Sequence, residues 1–86
     1  MIEREEKRLN EAWRALLPTL SPAAKRDLLA EQRAWITFKD LSCKFYWSGD
    51  FGREGQVLHG PACRAGVLQA RTDFLRELGT RGAESE

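Results

Sequence analysis

The sequence has no long hydrophobic run, and its charge is divided almost evenly between the two signs. Apolar stretches are only a few residues long, which excludes a transmembrane helix. The 14 Lys and Arg residues are balanced by 13 Asp and Glu residues, so the chain has no broad field that would attract nucleic acid or an anionic membrane. We therefore predict no nucleic-acid partner and no membrane insertion.

Side chains for catalysis or metal binding are also scarce. The chain has one histidine, His59, and two cysteines, Cys43 and Cys63, without the paired C-x-x-C spacing of zinc sites and without a fourth ligand. A Cys–His nucleophile pair would need a third group to orient the base, and no phosphate-binding glycine motif is present. The sequence therefore predicts no enzyme, no metal site and no cofactor.

Four of the first six residues are charged and no apolar h-region is present, so we predict no signal peptide in the chain. Eighty-six residues make one domain at most, with a thin core that a covalent staple would help. Cys43 and Cys63 allow two interpretations. A disulfide would indicate an oxidising compartment, and two buried thiols would indicate the cytosol. The residues alone leave both open.

Apolar periodicity predicts an all-α fold, a small antiparallel three-helix bundle. Pro18 ends the first helix, because the residue before proline is pushed out of helical geometry. Ser21 caps the second helix, with Pro22 in its first turn, and Gly79 is placed to end the third. The predicted helices cover residues 2–17, 21–46 and 61–78.

Residues 48–60, between the second and third helices, are rich in glycine. Four glycines within these thirteen positions lower helix propensity, so we expect a loop. Residues 1–79 are expected to form one helical domain, and the polar residues 80–86 a frayed tail.

Four aromatic residues lie at the base of this glycine-rich stretch: Phe45, Tyr46, Trp47 and Phe51. At helical spacing they cannot all point inward. We favour a core position for Phe45. Trp47 is a candidate aromatic anchor for a partner, since Trp is enriched at interface hot spots.

The stretch from Glu31 to Cys43 is the most distinctive in the chain. It reads Glu-Gln-Arg-Ala-Trp-Ile-Thr-Phe-Lys-Asp and, after two further residues, Cys. It resembles the AQRAW-x-x-[YF]-R-D-x-x-C motif of the LprI-type lysozyme inhibitor N-terminal domain family of bacterial envelope proteins. Further matches extend the resemblance over about residues 9 to 78: Leu9-Asn10-x-x-Trp13, Leu20-Ser21, and Cys63 followed by Val67, Arg71 and Leu75.

Two positions depart from the family pattern: Lys39 replaces the usual Arg, and Leu68 the usual Thr. The resemblance implies a small helical domain that is periplasmic or secreted, its signal peptide removed. It also implies a Cys43–Cys63 disulfide and inhibition of lysozyme-type muramidases.

The polar residues of these motifs are predicted to form a structural network: Gln32, Arg33, Asp40 and Arg71. Arg33 and Asp40 are seven residues apart on the second helix and share a face, and Arg71 of the third helix would reach Asp40 or Gln32. We favour an ion-pair network that fixes helix register over a ligand site.

The glycine-rich stretch is the predicted partner-binding segment, since binding residues often lie on loops held by a rigid scaffold. Its candidate residues are Asp50, Phe51, Arg53, Glu54 and His59. A muramidase cleft contains two carboxyl groups, to which Arg53 or His59 could hydrogen-bond. Asp50 and Glu54 could meet the basic surface of a lysozyme.

Two kinds of function follow from these observations. The first is a protein that inhibits a lysozyme-type muramidase by covering its active-site cleft. The alternative is a structural, adaptor or immunity domain of the envelope, which binds another protein through its helix faces without inhibiting host lysozyme.

Overall fold

The computed structural model describes residues 2–84, with side chains through Arg81. Three long helices form the fold: α1 (Ile2–Leu16), α2 (Pro22–Ser42) and α3 (Gly60–Glu84). A 3₁₀ turn, Leu17–Thr19, joins α1 to α2. The Cys43–Cys63 disulfide closes the α2–α3 end of the molecule. The predicted all-α three-helix fold and the disulfide are therefore confirmed.

The core lies between α1 and α3. Its buried members are Leu9, Ala12 and Leu16 of α1, and Leu68 and Leu75 of α3. Their spacing of three, four or seven residues places each set on one side of its helix. Burying a leucine contributes about 1.5–3 kcal/mol, so this layer supplies most of the hydrophobic stabilisation.

Helix α2 begins as its sequence predicts. The Ser21 side chain accepts a hydrogen bond from the Ala24 N–H at 3.1 Å, and Pro22 occupies the first helical position. Every residue of α2 remains at least partly exposed, and only Leu28 and Trp35 pack against the core from this helix. The disulfide therefore holds a helix that hydrophobic packing secures only weakly.

The segment between α2 and α3 differs from the predicted loop. Helix α2 ends at Ser42, and 3₁₀ turns follow at Lys44–Trp47 and Gly49–Phe51. Beyond Gly52, which has a left-handed φ of +61°, one α-helical turn and the π-helical turn Gly55–His59 lead directly into α3. The expectation that residues 48–60 lose helical character was wrong, because tertiary packing overrides the low propensity of glycine.

The C-terminal boundary of the third helix also differs from the expectation. Gly79 lies inside α3, and a Cβ atom added there would be 3.8 Å from Leu16 Cδ1. The helix continues through residues 80–84, where a frayed tail was expected, and residues 85–86 lie outside the described residues.

Candidate functional site

Residues 48–60, here called the tip, extend the third helix beyond the disulfide. From Gly52 the chain runs through one α-helical turn and the π-helical turn directly into α3. The molecule measures 50 × 21 × 17 Å, so it is a narrow rod with the tip at one end of its longest helix.

All five candidate binding residues of the tip are exposed: Asp50, Phe51, Arg53, Glu54 and His59. The tip also exposes two apolar side chains that the sequence did not single out, Val57 (65%) and Leu58 (60%). They lie in the π-helical turn. A stretch expected to be a loop has no defined helical face, so apolar periodicity gave no signal for them.

The aromatic group at the base of the tip is packed but only partly buried. The Phe51 ring lies 5.5 Å from the Phe45 ring and 5.3 Å from the Tyr46 ring, both edge-on. Phe45 is 50% exposed, so its predicted core position was wrong, and Tyr46 is the more buried neighbour. The His59 ring lies 6.0 Å from the Tyr46 ring and is tilted against it, which brings the end of the tip close to the residues that precede the tip.

Trp47 fixes the base of the tip to the start of α3. Its indole covers the backbone of Gly60, where an added Cβ would come within 2.5 Å of the ring. Arg64 lies over the same ring at 5.4 Å, in range for a cation–π interaction. Trp47 remains 38% exposed, so part of it is available to a partner.

A second cluster joins the middle of α2 to α3 through Arg71, of which only 5% is exposed. Its guanidinium donates to the carboxylate of Glu31 through both terminal nitrogens and to the side-chain oxygen of Gln32. The rings of Trp35 and Phe74 each lie 5.1 Å from it. Four hydrogen bonds to Glu31 and Gln32 and two aromatic rings surround the guanidinium, an arrangement typical of a structural cluster.

The structure brings Gln32 and Arg71 of the predicted network together and places Arg33 and Asp40 outside this cluster, so the prediction was wrong for those two residues. Arg33 is exposed, and Asp40 is exposed and pairs with Lys39 at 3.6 Å. Arg33 and Asp40 do share a face, but at 100° per residue that face is opposite Trp35.

Glu31 takes the place of these two residues in the network, and sequence reasoning missed it. Its position four residues before Trp35 puts it on the side of α2 that faces α3, so helical spacing could have identified it. Hydrogen bonding from Arg71 lowers the pKa of Glu31. Desolvation opposes this shift, and the positive charge of Arg71 adds to it.

The described residues offer little for other chemistry. Within residues 2–84, no group of three His, Cys, Asp or Glu side chains is placed to bind a metal ion. No helix in the same range has the length and apolar character to cross a bilayer. The exposed tip, held by the disulfide and the Trp47 contact, is the candidate functional site.

Comparison with protein-family models gives a match over residues 1–75 to the family described as Lysozyme inhibitor LprI. The match includes the tip, both cysteines and the Arg71 cluster. Searches of curated proteins and of solved structures gave no match.

Proposed function

The chain belongs to the LprI lysozyme inhibitor family, and on that premise we propose that it binds a lysozyme-type muramidase and covers its active-site cleft with the tip. The family is described by inhibition rather than by catalysis. The observation that carries the proposal is the exposure of the tip residues on a narrow end that a disulfide clamps. Clamping reduces the conformational entropy lost on binding.

The composition of the tip fits a muramidase cleft. Phe51, Val57 and Leu58 are each at least 45% exposed and supply apolar surface for the centre of an interface. Arg53 and His59 are hydrogen-bond donors for the two cleft carboxyl groups. Asp50 and Glu54 provide negative charge against a basic enzyme surface, which favours association.

The proposed location is the bacterial envelope, either the periplasm or the exterior. A disulfide in so small a domain persists in an oxidising compartment, and the substrate of muramidases is the cell wall. The family description supports the same location, since a lysozyme inhibitor must meet lysozyme.

Charge reversal on the tip tests the proposal. We expect the purified, oxidised protein to slow the lysis of cell-wall suspensions by at least one lysozyme-type muramidase. Arg53→Glu should weaken this inhibition at least about tenfold, equivalent to ~1.4 kcal/mol. Lysis is followed by turbidity over a range of inhibitor concentrations.

The matched control is Arg14→Glu, an equal charge change at an exposed position of α1. It should inhibit like the unaltered chain. Inhibition that both variants retain in full would reject the tip as the binding site while leaving the inhibitor function intact. Failure to slow any of several muramidases at large excess would reject that function.

One observation supports the alternative of an adaptor or immunity domain. Helix α2 exposes Phe38 (58%) and Leu41 (59%), which is unusual for a helix of a small bundle and suits docking through a helix face. Binding to a different envelope protein or to a wall-degrading toxin, without inhibition of any lysozyme, would favour this function.

A further inference from the structure

The two most exposed large apolar side chains that the structure describes lie next to each other in the tip. Val57 is 65% exposed and Leu58 is 60% exposed, and both belong to the π-helical turn Gly55–His59. Scattered apolar side chains on a surface are ordinary, but adjacent ones mark a place where a protein meets a partner. A π-helical turn is rare and often lies at a functional site.

The backbone of this turn decides which way Val57 and Leu58 point. A Cβ atom added at Gly55 or at Gly60 would clash with the 3₁₀ turn Lys44–Trp47, so both glycines face the aromatic base of the tip. They are five residues apart, which is the hydrogen-bonding step of a π-helix, and therefore share one side of the turn. Val57 and Leu58 lie between them in the sequence and face away from the base, in agreement with their exposure.

Arg53 lies beside the two apolar side chains. It precedes Val57 by four residues and Leu58 by five, and both intervals bring side chains to the same side of a helical turn, four in an α-helix and five in a π-helix. The Cβ atoms of such neighbours are about 5–6 Å apart. Arg53 is exposed, and no carboxylate among the side chains described through Arg81 forms an ion pair with it. One side of the tip therefore combines a cation with apolar surface.

The catalytic centre of a lysozyme-type muramidase has the matching properties. Its general acid is a carboxyl group that an apolar pocket keeps protonated, and its second carboxyl group is ionised. The two groups are about 5–5.5 Å apart in retaining enzymes such as lysozyme, which is close to the spacing of neighbouring side chains on a helical turn. A cation stabilises the ionised group, and apolar cover favours the protonated one.

We propose, on the premise of the function proposed above, that Arg53 pairs with the ionised carboxylate of the muramidase and that Val57 and Leu58 cover its protonated general acid. Each catalytic group then meets the side chain that suits its charge state, and the contact closes both groups to the wall glycan. His59 lies at the edge of this contact, since its ring is 6.0 Å from the ring of Tyr46 on the side of the base.

The proposed contact gives the inhibition a characteristic pH dependence. Covering the general acid with apolar side chains removes water from it, which disfavours its charged form and raises its pKa in the complex. By linkage, the chain binds most tightly while the general acid of the free enzyme is protonated, and binding weakens as the pH rises above the pKa of that acid, about 6 in lysozyme. Each pKa unit of increase corresponds to about a tenfold loss of affinity. A cation placed against the general acid would produce the opposite trend.

The inhibition constant, measured between about pH 5 and pH 8, tests the proposal. The oxidised full chain is titrated against a lysozyme-type muramidase that it inhibits, and the uninhibited rate is recorded at each pH. We expect the inhibition constant to rise about tenfold or more over this range. The variant V57T/L58N keeps nearly the same side-chain shapes but makes them polar. It should inhibit about tenfold less at the acidic end and lose most of the pH dependence, while the ionisations of the enzyme itself are the same in both titrations.

Leu41→Asn is the matched control, because Leu41 is 59% exposed but lies on α2. This variant should inhibit like the unaltered chain at every pH. Arg53→Gln should weaken inhibition about tenfold and keep the pH dependence, since it removes only the contact with the ionised carboxylate.

His59 needs a control of its own, since histidine is the side chain that ordinarily changes charge between about pH 5 and 8. His59→Gln should retain the pH dependence of the unaltered chain. The other titratable side chains on the elements that pack around the turn are of types that do not ordinarily titrate in this range: Lys44, Tyr46, Asp50, Arg53, Glu54 and Arg64.

Inhibition that strengthens as the pH rises, or that V57T/L58N retains in full, would overturn the proposed contact while the inhibitor function stands. The same holds for a pH dependence that V57T/L58N keeps or that His59→Gln abolishes. Failure to inhibit any of several muramidases rejects the inhibitor function itself, on which the contact rests. Arg53, Val57 and Leu58 are all exposed, so the variants should fold, and circular dichroism with unchanged helix content verifies that.

Discussion

At the scale of the residue, Glu31 carries the most specific energetic prediction. Its pKa is lowered below 4.5 by hydrogen bonding from Arg71, so its stabilising effect is present above about pH 4.5 and lost as the pH falls through the lowered pKa. Glu31→Gln should reduce stability by about 1 kcal/mol at pH 7, because a neutral acceptor binds Arg71 less strongly. The difference from the unaltered chain should shrink as the pH falls through the lowered pKa of Glu31, as measured by urea unfolding at several pH values.

The matched control is Glu77→Gln, which alters another Glu–Arg pair. Glu77 lies 2.5 Å from Arg81, and both side chains are more than half exposed. Exposed ion pairs contribute little to stability. Glu77→Gln should therefore change the free energy of unfolding by less than ~0.5 kcal/mol at every pH. Equal losses in the two variants, with equal pH dependence, would contradict the special role of the Arg71 cluster.

At the scale of the element, the tip depends on the close approach of two helical turns at Gly55. A Cβ atom there would lie 2.6 Å from Phe51 Cβ and would also clash with the backbone oxygen of Tyr46. Gly55→Ala should therefore lower the free energy of unfolding by about 1–3 kcal/mol, although alanine is the better helix former. The melting temperature should fall roughly 4–8 °C per kcal/mol.

Gly66 offers the same substitution without the clash. It lies within α3, and a Cβ atom added there would have no neighbour within 4 Å apart from the helix's own backbone. Gly66→Ala should stabilise by about 0.5–1 kcal/mol, because alanine loses less entropy on forming a helix. If Gly55→Ala and Gly66→Ala changed the free energy of unfolding in the same direction, the turns would not pack against each other at Gly55 as described.

At the scale of the whole molecule, the disulfide determines whether α2 stays with the α1–α3 pair. It joins residues 20 apart in the sequence, with a Cα–Cα distance of 5.9 Å, and its loop closure is worth about 3 kcal/mol. The double variant C43A/C63A should lose about that much stability. Hydrogen exchange should accelerate more in α2, which has no buried residue, than in α1.

Chemical reduction of the unaltered chain serves as the control and should reproduce the effect of the double variant. If all three helices lost protection from hydrogen exchange to the same extent, α2 and the α1–α3 core would unfold as one unit. That result would contradict the view of α2 as a covalently held helix.

The start of α2 and the all-α class could be predicted from sequence, and the family resemblance implied the pairing of the cysteines. Ser21 and Pro22 act on their own helix, and local signals of that kind need no tertiary context. The motif around Trp35 and Cys43 was specific enough to indicate the family. The exposure of the candidate tip residues could also be predicted, since a polar, glycine-rich segment between two amphipathic helices is expected at the surface.

The tertiary structure alone decided the rest. It made the glycine-rich stretch helical, because Gly55 and Gly60 let the backbone pass close to Tyr46 and Trp47, and that approach depends on residues distant in the chain. Arg71 pairs with Glu31 and not with Asp40, because the position of α3 determines which face of α2 is covered. Local sequence thus determines where helices form, and packing between helices determines which of their residues meet.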